Sequence, residues 1–124
     1  MTLDIRGLVP LLQVFDVPTS IHFCRDILGL EVVNASRPGE RFGWALLRLH
    51  GVELMLNTAY ESDQRPLVPD PNRIAAHADT GLYFGCPDVE GAYQQLGAKG
   101  LDLKQPVIQT YGMKQLNVTD PRWL

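Results

Sequence analysis

The chain is sparing with cysteine, with basic clusters and with long apolar runs, and each shortage rules something out. Its two cysteines, Cys24 and Cys86, sit in apolar segments with neither a CxxC partner nor a metal-like spacing, so two buried free thiols are expected rather than a disulfide or a catalytic cysteine. The 11 Lys and Arg stand against 14 Asp and Glu, for a net charge of −3, and no basic run is dense enough to neutralise successive phosphates, which argues against a nucleic-acid partner. No apolar stretch reaches the roughly 18 to 20 residues of a membrane span, and MTLDIRG at the N-terminus lacks the apolar core of a signal peptide. No membrane partner and a cytoplasmic location are therefore the expectation. G-x-S-x-G, the P-loop and G-x-G-x-x-G are all missing as well, which removes the commonest hydrolase and nucleotide signatures.

What remains is 124 residues, 45% hydrophobic and 20% charged, the make-up of one globular domain with a real core. "GLVPLLQVFDV" reads as a buried strand ending at Val14 or Phe15, and Asp16 with Pro18 signals a helix start. That helix should run to about Leu28, with Ile21, Cys24, Ile27 and Leu28 on its apolar face and Gly29 as its stop. "LEVVNAS", "RFGWALLRLH" and "VELMLNT" follow as strands, the first pair joined through Arg37-Pro38-Gly39-Glu40 and the second through His50-Gly51. Residues 59–80 are rich in Pro and Asp without a sustained period and read as a linker, either a plain crossover or a binding lid. Beyond it come a strand, "GLYFGC", a helix capped by Asp88 and stopped at Gly100 with Val89, Ala92, Tyr93 and Leu96 inward, and two strands in "LDLKQPVIQTYG" and "MKQLNVT".

The element order repeats, and so do the residues. Asp16-Val17 matches Asp88-Val89 at an offset of 72, Gly29-Leu30 matches Gly100-Leu101 at 71, and "FGWALLRL" matches "YGMKQLNV" at 69. Near-constant offsets indicate two copies of one β-α-β-β-β unit. Carrying "VELMLNT" forward by 69 starts its counterpart at Pro121, so the second copy is expected to lack its last strand. Either the product is truncated or an open sheet edge is covered by another chain. The tail Arg122-Trp123-Leu124 reads as an intermolecular plug or a disordered end.

"VFDVPTSIHFCRDILGLEVV" and "GLYFGCPDVEGAYQQLGAKGL", with the S-x-x-F-x-R-D-x-L-G-L pattern from Ser20 to Leu30, resemble the vicinal oxygen chelate superfamily of glyoxalases, bleomycin-resistance proteins and dioxygenases. Cys24 stands where that pattern often has an aromatic, and Arg122-Trp123 replaces the usual continuation of "VTDP". The resemblance implies an α+β fold in which two βαβββ repeats form a concave half-barrel sheet, here with one strand missing, as a single domain over 1–124: repeat one at about 7–58, linker at about 59–80, repeat two at about 81–124. It also implies a homodimer.

Enzymes of that superfamily hold a metal with one side chain from each of four strands. The corresponding positions here are Val9, Glu53, Gly81 and a place in the missing strand. Glu53 alone cannot satisfy a cation that wants three or more donors, and His22, His50 and His77 share no face with it. No cofactor and no metal residue are therefore expected, a divalent metal being the alternative. The carboxylates Glu61, Asp63 and Asp70 fit no calcium loop.

Strand alternation sends Trp44, Leu46 and Arg48 to the face opposite Leu47 and Leu49. By the same rule and the repeat, the ligand-binding residues are expected to be Gln13, Trp44, Arg48, Glu53, Met55, Asn57, Tyr83, Met113, Gln115 and Asn117, with Leu11 beside them. Arg48 and Glu53 either form a cross-strand ion pair or meet the ligand, and Trp44 is either core or a stacking platform. The leading reading is a small-molecule-binding protein without the superfamily's metal, more binder than enzyme, taking a partly aromatic or cationic ligand. The alternatives are a metal-dependent lyase, isomerase or extradiol dioxygenase whose site a partner chain completes, and a regulatory module that uses its open edge.

Overall fold

The computed structural model describes residues 2–36, 43–58, 60, 66–76 and 81–118. The Pro38-Gly39 turn, His77, Glu61, Asp63 and everything after Val118, including the Trp123-Leu124 plug, lie outside the described residues.

The first half forms one mixed sheet in the order β1-β4-β3-β2. The strands are β1 (Leu11–Gln13), β2 (Glu31–Ala35), β3 (Trp44–Leu49) and β4 (Val52–Asn57). β3 and β4 pair antiparallel from Trp44 opposite Asn57 to Leu49 opposite Val52. His50 (φ 50°) and Gly51 (φ 82°) close that hairpin, both in the left-handed region that a two-residue turn matching strand twist requires. β1 lies parallel to β4, held by Pro10 O accepting from Met55 N at 2.9 Å and Val14 N donating to Asn57 O at 2.7 Å.

Between β1 and β2 the chain crosses the sheet as a helix. Asp16 caps α1 (Val17–His22), its carboxylate accepting from Thr19 N at 3.2 Å and from the Thr19 hydroxyl, with Pro18 in the first turn where no N–H is missed. The helix ends as a π-helical turn, Phe23–Ile27, in which Leu28 N reaches Phe23 O. Gly29 (φ 90°) then stops it, and Leu30 N closes the end on Cys24 O at 2.9 Å. The expected apolar face is present: Ile21 and Cys24 are buried, and Ile27 and Leu28 pack against the core.

That core lies between the helix and one face of the sheet. Val14, Val17, Ile21, Phe23, Cys24 and Leu30 meet Ala45, Leu47, Leu54 and Leu56. Leu82, Leu101 and Val118 pack against the same cluster from the second half.

The second half repeats the helix but not the sheet. Asp88 caps α3 (Val89–Ala98) through Gly91 N at 2.9 Å, and Gly100 (φ 95°) ends it, as Asp16 and Gly29 do in the first copy. Lys99 Nζ joins the halves by donating to Ile27 O at 3.0 Å. The strands expected from "LDLKQPVIQTYG" and "MKQLNVT" shrink to β5 (Val107–Ile108) and β6 (Lys114–Gln115), paired across a turn at Gly112 (φ 89°). "GLYFGC" joins no ladder among the described residues. Its counterpart β1 is held by β4; the strand that the repeat would set beside 81–86 falls outside the described residues. Two other expectations change. Cys24 is buried but Cys86 is exposed, its thiol donating toward Asp88 O, because a segment without a sheet offers it no interior. The linker also contains a short helix, α2 (Pro71–Ala76), which Asp70 starts by accepting from Asn72 N at 2.9 Å.

Leu47 has no solvent exposure, so Leu47→Ala should lower the unfolding free energy by about 2 to 5 kcal/mol in urea titration. Val52→Ala, at an exposed strand start, should change it by less than about 0.5 kcal/mol.

Candidate functional site

The face of the sheet turned away from the core carries three cross-strand rows. Strand alternation puts Leu47, Leu54 and Leu56 on the core side and leaves Trp44, Leu46, Glu53, Met55 and Asn57 half-buried and Arg48 exposed on the other. Register then sets which side chains are neighbours, since residues paired across a ladder share a face. The first row runs Glu53, Arg48, Glu31; the second Leu11, Met55, Leu46, Asn34; the third Gln13, Asn57, Trp44. A bulge at Val33 keeps Asn34 rather than Val33 opposite Leu46.

The rows differ in chemistry. In the first, Arg48 Nη2 bonds Glu53 Oε2 at 2.9 Å with the two side chains 49% and 29% exposed, so the expected cross-strand ion pair is formed. Glu31 stands on the other side of Arg48 in the ladder, giving two carboxylates to one guanidinium at this end. The second row is apolar apart from Asn34, with Met55 at its centre. The third offers the Trp44 indole and two carboxamides. Trp44 is fixed by its backbone, its N–H donating to Ser36 Oγ and its carbonyl accepting from Ser36 N, both at 3.0 Å. Asn57 Oδ1 is buried and has no hydrogen-bond partner among the described residues. Gln13 Oε1 accepts from Arg73 Nη2 at 2.6 Å.

Six of the ten sequence-predicted residues therefore share this face: Gln13, Trp44, Arg48, Glu53, Met55 and Asn57. The other four lie elsewhere. Gln115 and Asn117 line a groove of about 610 Å³ whose walls come from the second half, with Asp102, Lys104, Gln105 and Gln109 among them. Met113 and Tyr83 are exposed, at 62% and 83%. Sequence reasoning missed Arg73 and Tyr60, which reach the third row from the linker. The signal that could have found α2 is Asp70-Pro71, the same cap-and-proline start that identified α1.

Among the described residues no three His, Cys, Asp or Glu come together to hold a metal ion. Of the superfamily's ligand positions within them, Val9 and Gly81 offer no donor and Glu53 is engaged by Arg48. These residues do not make up a metal site. His22 bonds Asp26 on its own helix at 2.6 Å, and His50 stands exposed at the hairpin turn. No helix among the described residues is long and apolar enough to cross a membrane.

The family model for the glyoxalase/bleomycin resistance protein/dioxygenase superfamily matches residues 8–122. This chain belongs to that superfamily. Solved proteins of similar structure include TnmS3, an antibiotic binding protein from Streptomyces sp. CB03234, at a TM-score of 0.71 and 17% identity over 98% of this chain and 92% of that one. The bleomycin-binding protein of bleomycin-producing Streptomyces verticillus, solved with copper(II)-bleomycin, matches at 0.68 and 19% identity over 98% and 92%. A superfamily member from Sphaerobacter thermophilus matches at 0.62 and 23% identity over 97% and 93%. At these identities the likeness shows the glyoxalase-like fold alone. No curated protein matches this chain.

The Arg48–Glu53 pair is partly exposed, so its coupling should be small. A double-mutant cycle with Arg48→Met and Glu53→Gln, followed by thermal unfolding, should return about 0.2 to 1 kcal/mol.

Proposed function

We propose that the protein binds a small molecule on the concave face of its first-half sheet and holds it without a resident metal. The observation that carries this reading is the three-row arrangement: an acidic row with one guanidinium, an apolar row centred on Met55, and a row with an indole and two carboxamides. An apolar floor with a few placed polar groups is the usual make-up of a small-molecule site, and a Met at its centre adapts to irregular shapes. The surplus carboxylate at the Glu31–Arg48–Glu53 end favours a basic group on the ligand, and Trp44 favours an aromatic one. The neighbours described as antibiotic binding and bleomycin-binding proteins support a ligand of that kind.

Bleomycin and a panel of basic, aromatic antibiotics should contain at least one ligand detectable by titration calorimetry. Its affinity should fall on the order of tenfold or more in Trp44→Ala and in Glu53→Gln, and should not change when the protein is stripped with a chelator. Affinity that disappears with the chelator would instead point to a metal-dependent member with donors outside the described residues.

A homodimer forms part of the same reading. Leu3, Ile5, Leu8 and Tyr83 are 79%, 76%, 89% and 83% exposed, apolar side chains that a second copy could cover. Analytical ultracentrifugation at micromolar concentration should give the mass of two chains; a single-chain mass would rule the dimer out.

A further inference from the structure

The linker helix brings to the groove a charge that the sheet lacks at its indole end. Arg73 is half-buried while Asn72, Ile74, Ala75 and Ala76 around it on α2 are exposed, because its side chain turns back onto β1. Nη2 donates to Gln13 Oε1 at 2.6 Å, and the guanidinium carbon lies 6.0 Å from the centre of the Tyr60 ring. Tyr60 is itself anchored edge-on against Phe15, with ring centres 6.0 Å apart and planes at 73°. Gln13 is on the same face as Asn57 and Trp44, so Arg73 and Tyr60 stand at the end of the third row.

This guanidinium is not neutralised by any carboxylate among the described residues; the ion pairs there involve Arg6, His22, Arg25, Arg48 and Lys114. A neutral carboxamide takes one of its five N–H donors and leaves its charge intact. Among the described residues this leaves a cation at the indole end of the third row with no carboxylate paired to it, which suits an anionic group on a ligand.

We propose that Arg73 is a specificity-determining residue of the concave site, selecting ligands whose carboxylate lies at the Gln13–Asn57–Trp44 row while a basic group lies at the Glu31–Arg48–Glu53 row. The inference rests on the concave face being the ligand site. A planar carboxylate suits the guanidinium because the fork donates two parallel N–H bonds to it. The rows are four residues apart along β4, from Glu53 to Asn57, or roughly 13 Å at the rise of an extended strand. The preferred ligand is thus an elongated, aromatic-bodied zwitterion rather than a simple cation.

A probe of that shape is 4′-aminomethyl-biphenyl-4-carboxylate, and its carboxamide keeps the outline while removing the anion. Titration calorimetry on the full chain should show the carboxylate binding on the order of tenfold tighter than the carboxamide. That preference should vanish in Arg73→Met and survive in Arg73→Lys, with the thermal midpoint of each variant confirming that it is folded. Equal binding of the two probes to the native protein, or a preference that persists in Arg73→Met, would overturn the role of Arg73 and leave the concave site standing. Failure of both probes to bind at millimolar concentration, or binding indifferent to Trp44→Ala and Glu53→Gln, would overturn the concave site and this inference with it.

Discussion

One-sided burial of the β3–β4 hairpin is the constraint on which the rest depends. Leu47, Leu54 and Leu56 are sealed against the helix, and a slip of one residue in register would throw all three into solvent and drive Arg48 and Glu53 into the core. The cost of that slip fixes the pairing, and the pairing fixes which groups meet on the far face. The candidate site is therefore a by-product of core packing: Trp44 stands beside Asn57, and Arg48 beside Glu53, because their sequence neighbours are needed on the other side. β1 and the crossing helix complete the arrangement, since Val14 and Val17 cover the same leucines that hold the hairpin in place.

Much of this was legible in the sequence because the relevant signals are local. The alternation in "WALLRL" and "VELMLN", the His50-Gly51 turn and the Asp16 and Gly29 helix boundaries each depend on a few adjacent residues, and each appears in the structure where its chemistry requires. The Arg48–Glu53 pair could be anticipated because a two-residue turn leaves no freedom in how its strands align. The reading weakened where structure depends on a distant partner. "GLYFGC" has the composition of a strand, but a strand is a property of two segments, and its assigned neighbour is not among the described residues. Cys86 followed it into solvent for the same reason. Arg73 was hidden because its contact with Gln13 is made across the linker, which no periodicity records.

The two halves thus carry the same helix with unequal sheets. In the first, the sheet's outer face gathers six candidate residues; in the second, Gln115 and Asn117 open onto a separate groove lined by carboxamides. The difference follows from edge chemistry. Among the described residues β5 and β6 have only each other, and a two-stranded ribbon of this length has too few hydrogen bonds to organise a broad face.

The bond from Lys99 to the Ile27 carbonyl has a meaning for how the two copies relate. With Gly29 matched to Gly100, the residue equivalent to Lys99 is Leu28, which packs against the core and has no donor to offer in return. A cation placed at the last carbonyls of a helix also sits in the favourable field of that helix end. The contact is consequently directional: one copy gives the charge and the other the acceptor. A duplicated unit joined in this way has lost its interchangeability, because each half now carries a side chain that is useful only in its own place.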